Sequence, residues 1–472
     1  MTRWDRPFQA CAATLALLSL GLACLTASAQ TPGSQQSLLR ELQQRLVQQQ
    51  SLIDAQQRQI DRLVQMVEGS RSSAAPASTA SNSELAPAPA VNPSAVNPPS
   101  TPVVASRFEG IKLTLGGSLR TTLMTTTARA QPDGSPFFLL PQVPGAPQGS
   151  TKLDARPSSI LLGIDGLRTG DYLAGGLLVF NMNNGDLFSP GYGLTPVLAW
   201  AELRNADARY AIGLQEDVFS PRMPKMVDSI SALAGSGNPG NSSRSQLRAE
   251  RYITLGGRDR LTLVVAAADS TSSNIKPTTS TENVGFPNLE SRVLWSAGGT
   301  DASAWVPGND YEFGASGVVG RLRTFSASGA FSAFKTDMWG VSLDGRWRLS
   351  RQFAVQGELF TGSALGAYLG GVFQTVNPTT QRPVRASGGW GEAMWYWQPT
   401  LHTHLGYGVD KLRASDLFPA ALSRNETGFL NLIWDPATYA QYAVEATWRR
   451  TRYEGLPQNQ GVGLMLTSEL RF

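Results

Sequence analysis

The chain of 472 residues is poor in thiols and imidazoles. It has two cysteines and two histidines. Both cysteines, Cys11 and Cys24, lie in the first 29 residues, and that stretch reads as an export leader. Arg3 and Arg6 give it a basic start, an apolar run covers 10–25, and Ala27-Ser28-Ala29 forms a small-residue cleavage site before Gln30. A competing lipid-attachment site at Cys24 fits its motif poorly. Once the leader is removed, no thiol remains to form a disulfide framework or a cysteine metal site. A second absence is a long apolar run: beyond the leader no segment approaches the length of a membrane-spanning helix. An exported chain of this kind is either soluble or a β-barrel. The formal net charge is only +4, and no nucleic-acid partner is expected.

Hydrophobic content is 41%, and mean hydropathy is −0.16. A membrane barrel gives such an average because only alternate strand residues meet lipid. The last residues, 461–472, carry the pattern clearly. Val462, Leu464, Leu466, Leu470 and Phe472 fall on one face; Met465, Thr467, Glu469 and Arg471 fall on the other. A terminal strand ending on an aromatic, Phe472, is a barrel signal. The 47 glycines and 29 prolines suit many turns and loops.

Three mature segments follow the leader (1–29). In 30–70, Leu39, Leu46, Ile53, Ile60 and Val67 recur at heptad spacing, with Leu42, Gln49, Gln56 and Leu63 at the second seam position. This predicts an α-helical coiled coil, read as oligomeric rather than as a solvated helix lying on its own barrel. Segment 71–106 is a linker rich in Pro, Ala and Ser. Segment 107–472 holds about sixteen strand candidates that pair as antiparallel hairpins. Tight turns at 168–170, 205–207, 255–259, 349–351, 398–400 and 435–437 alternate with long loops at 129–156, 183–195, 216–243, 270–288, 362–385 and 412–425. That alternation is the signature of short periplasmic turns and long extracellular loops, with the coil in the periplasm. The break between Trp295 and Asp310 is longer than the pattern asks. Strands over 310–323 and 427–434 alternate poorly, and Ile433 falls on the inner face. The expected fold is therefore an all-β transmembrane barrel preceded by a coiled coil.

Strand parity places Arg120, Arg204, Arg209, Arg244, Arg248, Arg292 and Arg449 inside, with Glu202 and Glu250. The loop after Glu216 carries Arg222 and Lys225 and is long enough to fold into the lumen. An arginine-lined constriction draws anions by field focusing and suits carboxylates. The same arginines could equally form a structural network with Glu202, Glu250 and Asp207. His402 and His404 share the inner face of one strand. No third metal ligand accompanies them, so neither a metal nor a cofactor is expected. A membrane-embedded hydrolase would need one of them as a base, but no nucleophile motif is present. Trp339, Trp347, Trp395, Trp397 and Trp448 share the outward parity near strand ends, as an interfacial girdle does.

Several short motifs occur in a recognisable order: Leu198-Ala-Trp-Ala-Glu-Leu-Arg204, Ala211-Ile-Gly-Leu-Gln215, Asn288-Leu-Glu-Ser-Arg292, Trp339-Gly340, Gly366-Ala-Tyr-Leu369 and Asn431-Leu-Ile-Trp-Asp-Pro436. With the order leader, coil, linker and barrel, the mature chain resembles the DcaP-like trimeric porins of Gram-negative outer membranes. It departs from their pattern at Asn205-Ala206. The resemblance implies a homotrimer in outer-membrane lipid, a periplasmic coil and passive uptake of small anionic solutes such as dicarboxylates. It also implies that Arg204 faces the lumen and that the loop from Glu216 forms the constriction. A non-enzymatic porin is the expected function. The alternative is a structural envelope protein whose coil contacts the cell wall and tethers the outer membrane to it.

Overall fold

The computed structural model describes residues 107–472, apart from 109–110, 134, 241, 271–280, 284–285, 299–302 and 325–333. The leader, the heptad segment with its seam residues, and the linker lie outside the described residues. Sixteen long strands form the wall. The first eight are β1 (Ile111–Thr126), β2 (Ser159–Thr169), β3 (Tyr172–Asn181), β4 (Thr195–Arg204), β5 (Ala208–Glu216), β6 (Ser243–Gly256), β7 (Asp259–Ala268) and β8 (Asn288–Ala297). The rest are β9 (Tyr311–Thr324), β10 (Phe334–Arg348), β11 (Phe353–Ser363), β12 (Arg385–Gln398), β13 (Leu401–Leu412), β14 (Leu422–Ala437), β15 (Ala440–Tyr453) and β16 (Asn459–Arg471).

Each strand pairs antiparallel with the next, and β16 closes on β1 from Ser118↔Arg471 to Thr126↔Gly463. Closure leaves no open sheet edge along the wall, as a sheet surrounded by hydrocarbon requires. β1 divides its other side: Lys112 to Ser118 pair with β2, and Thr122 to Thr126 pair with a short strand, Ser150–Asp154. The hairpins follow the expected alternation with one shift. The last tight turn falls at 438–439, because β14 continues through a bulge between Trp434 and Ala437.

Alternation sets the two faces. On β16, Leu464 and Leu466 are exposed outward while Met465 and Thr467 are buried inward. The outer face of the wall is a belt of exposed Leu, Val and Ile, the surface expected against hydrocarbon. At the short-turn rim it ends in paired aromatics: Trp295 with Tyr311, Phe353 with Trp395, and Trp434 with Tyr442. Trp339, Tyr407 and Trp448 lie toward the long-loop rim. Arg251 points outward beside the 205–207 turn and meets Asp207 at 3.8 Å.

The inside is not uniformly polar. Loops 127–158, 182–194, 217–242 and 364–384 meet there. Phe137, Ala234 and Leu369 form a buried cluster, with Phe188, Ile230 and Phe373 packed on it. Phe219 and Leu365 pack against inward Val318, Leu322, Met338 and Phe360. Ile433 has its partner here too, buried with Met124, Val227 and Met465. The anomalous inner-face residues of β9 and β14 are thus the seats for apolar loop residues. Wall glycines let the loop lie flush: a Cβ on Gly408 would come 2.2 Å from the Ser236 carbonyl oxygen. The long turn between β8 and β9 tucks back, burying Val306 against Ala354, Met394 and Tyr396.

Leu464→Arg puts a charge on the lipid face near the middle of β16. It should cost about 2–4 kcal/mol in denaturant-titrated folding into bilayers. A cost near zero would mean that this face does not meet hydrocarbon.

Candidate functional site

The loop 217–242 crosses the lumen because its backbone finds acceptors all round the wall. A peptide N–H without a partner is costly when buried. Glu290 on β8 accepts from the N–H groups of Val218 (2.6 Å) and Phe219 (2.9 Å). Glu358 on β11 accepts from the Ser220 hydroxyl. Glu392 on β12 accepts from the N–H of Lys225 (3.0 Å), and Glu445 on β15 from that of Val227 (2.7 Å). Asn431 on β14 donates to the Lys225 carbonyl at 2.8 Å. The loop is therefore held at successive points by inward side chains of five strands.

A second loop braces it. The N–H of Gly235 donates to the Leu369 carbonyl (3.1 Å) and that of Gly240 to the Tyr368 carbonyl (2.8 Å). The Tyr368 hydroxyl donates to Glu290 at 2.8 Å, and burial holds its pKa well above the usual phenol value. From the β1–β2 loop, the Ser135 hydroxyl donates to Asp228 at 2.7 Å.

The arginines expected inside are inside, and they are paired. Arg204 bonds Glu202 and, at 2.7 Å, Asp165. Arg209 lies between Glu202 and Glu250, the latter at 2.8 Å, and its guanidinium lies 4.9 Å from the Trp200 ring centre. Arg248 meets Glu250 at 2.8 Å. Arg292 and the loop's Arg222 share Asp344, each at 2.7 Å, and Arg222 also reaches Glu312 at 2.7 Å. Arg449 stands 3.6 Å from Asp228. Arg120 donates to the Val227 carbonyl and lies 3.5 Å from Glu469. Arg244 has no exposed surface. It is clasped by Asp217 at 2.6 Å and stacked 3.6 Å from the centre of the Tyr368 ring, so it joins two loops rather than facing water. Asp207, placed by the sequence among the lumen partners, faces outward with Arg251.

Lys225 differs. Among the described residues, no carboxylate lies within salt-bridge distance of its ammonium. Burial lowers its pKa; Asp435 opposes that shift, while Arg471 and Arg120 reinforce it. Arg346, on β10, is held by the carbonyls of Pro307 and Asn309 and by no carboxylate among the described residues.

The two histidines are struts. Glu392, His404, His402 and Asp435 form a chain with contacts of 2.6, 2.7 and 3.1 Å, so all four ring nitrogens are engaged. Tyr396 stacks on His402 at 4.6 Å. Among the described residues no cluster of three or more His, Cys, Asp or Glu has the disposition of a metal site.

No protein-family model and no curated protein matches the sequence. Solved structures do. The outer membrane channel DcaP of Acinetobacter baumannii matches with a TM-score of 0.61 over 78% of this chain and 100% of its own, at 16% identity. The barrel has the fold of that channel. An anion-selective porin from Comamonas acidovorans and OmpT of Vibrio cholerae match at TM-scores of 0.49 and 0.48, with 12% and 8% identity. They cover 77% and 78% of this chain and 100% of their own. The likeness is one of fold, and it agrees with the resemblance drawn from short motifs.

Glu445→Ala should leave the Val227 and Asp228 N–H groups without an acceptor, at about 1–3 kcal/mol of local stability. Amide hydrogen exchange in the loop should accelerate accordingly at these residues. Unchanged exchange would mean that the carboxylate does not hold the loop.

Proposed function

We propose that the protein is a trimeric outer-membrane porin through which small hydrophilic solutes diffuse passively, with anions favoured over cations. The pore supplies shape and charge and no chemistry. The DcaP fold supports a channel. The anion preference rests on one observation: in several lumen ion pairs it is the cation that keeps more contact with water. Arg204 retains 22% exposure against 4% for Glu202, and Arg248 retains 17% against 8% for Glu250. Glu392 and Glu445 are buried, occupied by loop N–H groups, while Lys225 and Arg346 keep part of their surface open. Glu312, Asp165 and Asp435 run the other way, each more open than its basic partner, and Glu202 and Glu250 are slightly more open than Arg209. A field set by accessible cations beside buried carboxylates draws carboxylate-type solutes.

The trimer has its own support. The outer wall of β3 to β7 carries a shallow groove lined by Ala174, Gly176, Ala199, Ala201, Ala249 and Ala267. Small residues on a membrane-embedded face let neighbouring backbones approach. The heptad segment, 30–70, would hold the copies together from the periplasm, on the side of the short turns. Long loops then face the exterior.

Under a salt gradient in planar bilayers, the reversal potential should have the sign of anion preference. Lys225→Met should reduce it; Arg244→Gln, which changes a group with no exposed surface, should alter it less. Because burial lowers the Lys225 pKa, its charge should be lost on raising pH before an ordinary lysine would titrate near 10.4. Anion preference should therefore fall as pH rises through that range in the native channel, and change less in Lys225→Met. Cation preference at neutral pH would overturn the proposal.

A further inference from the structure

The outer wall carries one feature that a lipid-facing surface does not need. On β13 and β14, Leu405, Tyr407, Val409 and Lys411 share the outer face, as do Leu432, Leu430, Gly428, Glu426 and Arg424. Register sets Lys411 opposite Arg424, and Arg424 opposite Arg452 on β15. Three cations therefore stand in one row across three adjacent strands. Like charges directly opposite one another destabilise a sheet. One step inward, Arg450 pairs across from Glu426.

Glu426 is the only carboxylate in this group, and it is fully engaged. It accepts from Arg424 (2.9 Å), from Arg450 (2.8 and 2.9 Å) and from the Tyr407 hydroxyl (2.6 Å). Among the described residues, Arg452 and Lys411 have no carboxylate partner. The Nε atoms of Arg424 and Arg452 are screened from solvent and have no acceptor. Four cations against one carboxylate leave a local charge of +3.

Position bears on which anion could meet this row. The row lies at the long-loop rim, four residues beyond Tyr407 on β13 and four beyond Trp448 on β15, and the Arg450 guanidinium sits 5.2 Å from the Trp448 ring centre. Interfacial aromatics mark the boundary between hydrocarbon and headgroups. Cations just beyond them stand at headgroup depth, and guanidinium forks bind phosphate oxygens in pairs. We propose that the outer rim of β13 to β15 is a binding site for the phosphate groups of a phosphorylated lipid in the outer leaflet. The lipid supplies the anions that the row lacks, while its acyl chains lie along the leucine belt below. The orientation rests on the porin reading, but the site takes no part in conduction.

The test uses the full-chain protein in detergent, with bisphosphorylated lipid A as the probe and the same lipid stripped of phosphate as comparison. Binding is read by native mass spectrometry. The phosphorylated form should bind at least about tenfold more tightly, and R424Q/R452Q should remove most of that difference. Glu426→Gln, which deletes the competing carboxylate, should tighten binding. Conductance of R424Q/R452Q should match the native channel, which separates failure here from failure of the porin reading. Equal affinity of the native protein for the two lipids would overturn the site without recourse to any variant. So would inorganic phosphate displacing the lipid at equal concentration, which would assign the row to free anions.

Discussion

Every peptide group carried into the barrel must find a partner there, and this requirement organises the lumen. The loop 217–242 brings a run of backbone N–H groups into a space walled by side chains. Glu290, Glu392 and Glu445 receive them, Glu358 takes the Ser220 hydroxyl, and Asn431 satisfies a carbonyl. The loop's path across the pore is thus fixed by where the wall places carboxylates. The loop then seats its apolar residues: Phe219 against Phe360 and Met338, Val227 against Ile433 and Met465.

That arrangement has an electrostatic result. Carboxylates engaged in pinning a loop are buried, and their charge is answered by N–H dipoles and neighbouring arginines. Arg204, Arg248, Lys225 and Arg346 keep part of their surface open to water, as do Asp165, Asp435 and Glu312. Under the proposed porin reading, the open cations would draw anions into the lumen of a chain whose formal charge is only +4. The outer rim uses the same chemistry in the opposite direction, toward lipid.

Much of the wall was legible because strand alternation is a strict period of two. The outward leucines of β16 and the inward Glu202, Arg204, Arg244 and Arg449 follow from parity alone. What parity does not give is the partner. Inward arginines were visible, but whether each meets water or a carboxylate depends on register between strands far apart in sequence, as with Arg292 and Asp344. Glu290, Glu358, Glu392 and Glu445 carried a signal, since all have inward parity, yet their role depends on where a loop lies. The apolar clusters under the loops were hidden because Phe137, Phe219 and Leu369 sit in irregular segments with no period to read. Their traces were Ile433, an apolar residue on a polar face, and the poor alternation of β9, whose Val318 and Leu322 face inward.

If wall carboxylates pin the loop, they also set the bore. Neutral polymer exclusion in planar bilayers tests it directly. Conductance is measured with polyethylene glycols of graded size, for the native channel and for a variant with Glu290, Glu392 and Glu445 all changed to alanine. The account predicts that the variant, once shown to be folded, admits larger polymers than the native pore. An identical size cutoff in the two would contradict it, because the bore would then owe nothing to the carboxylates.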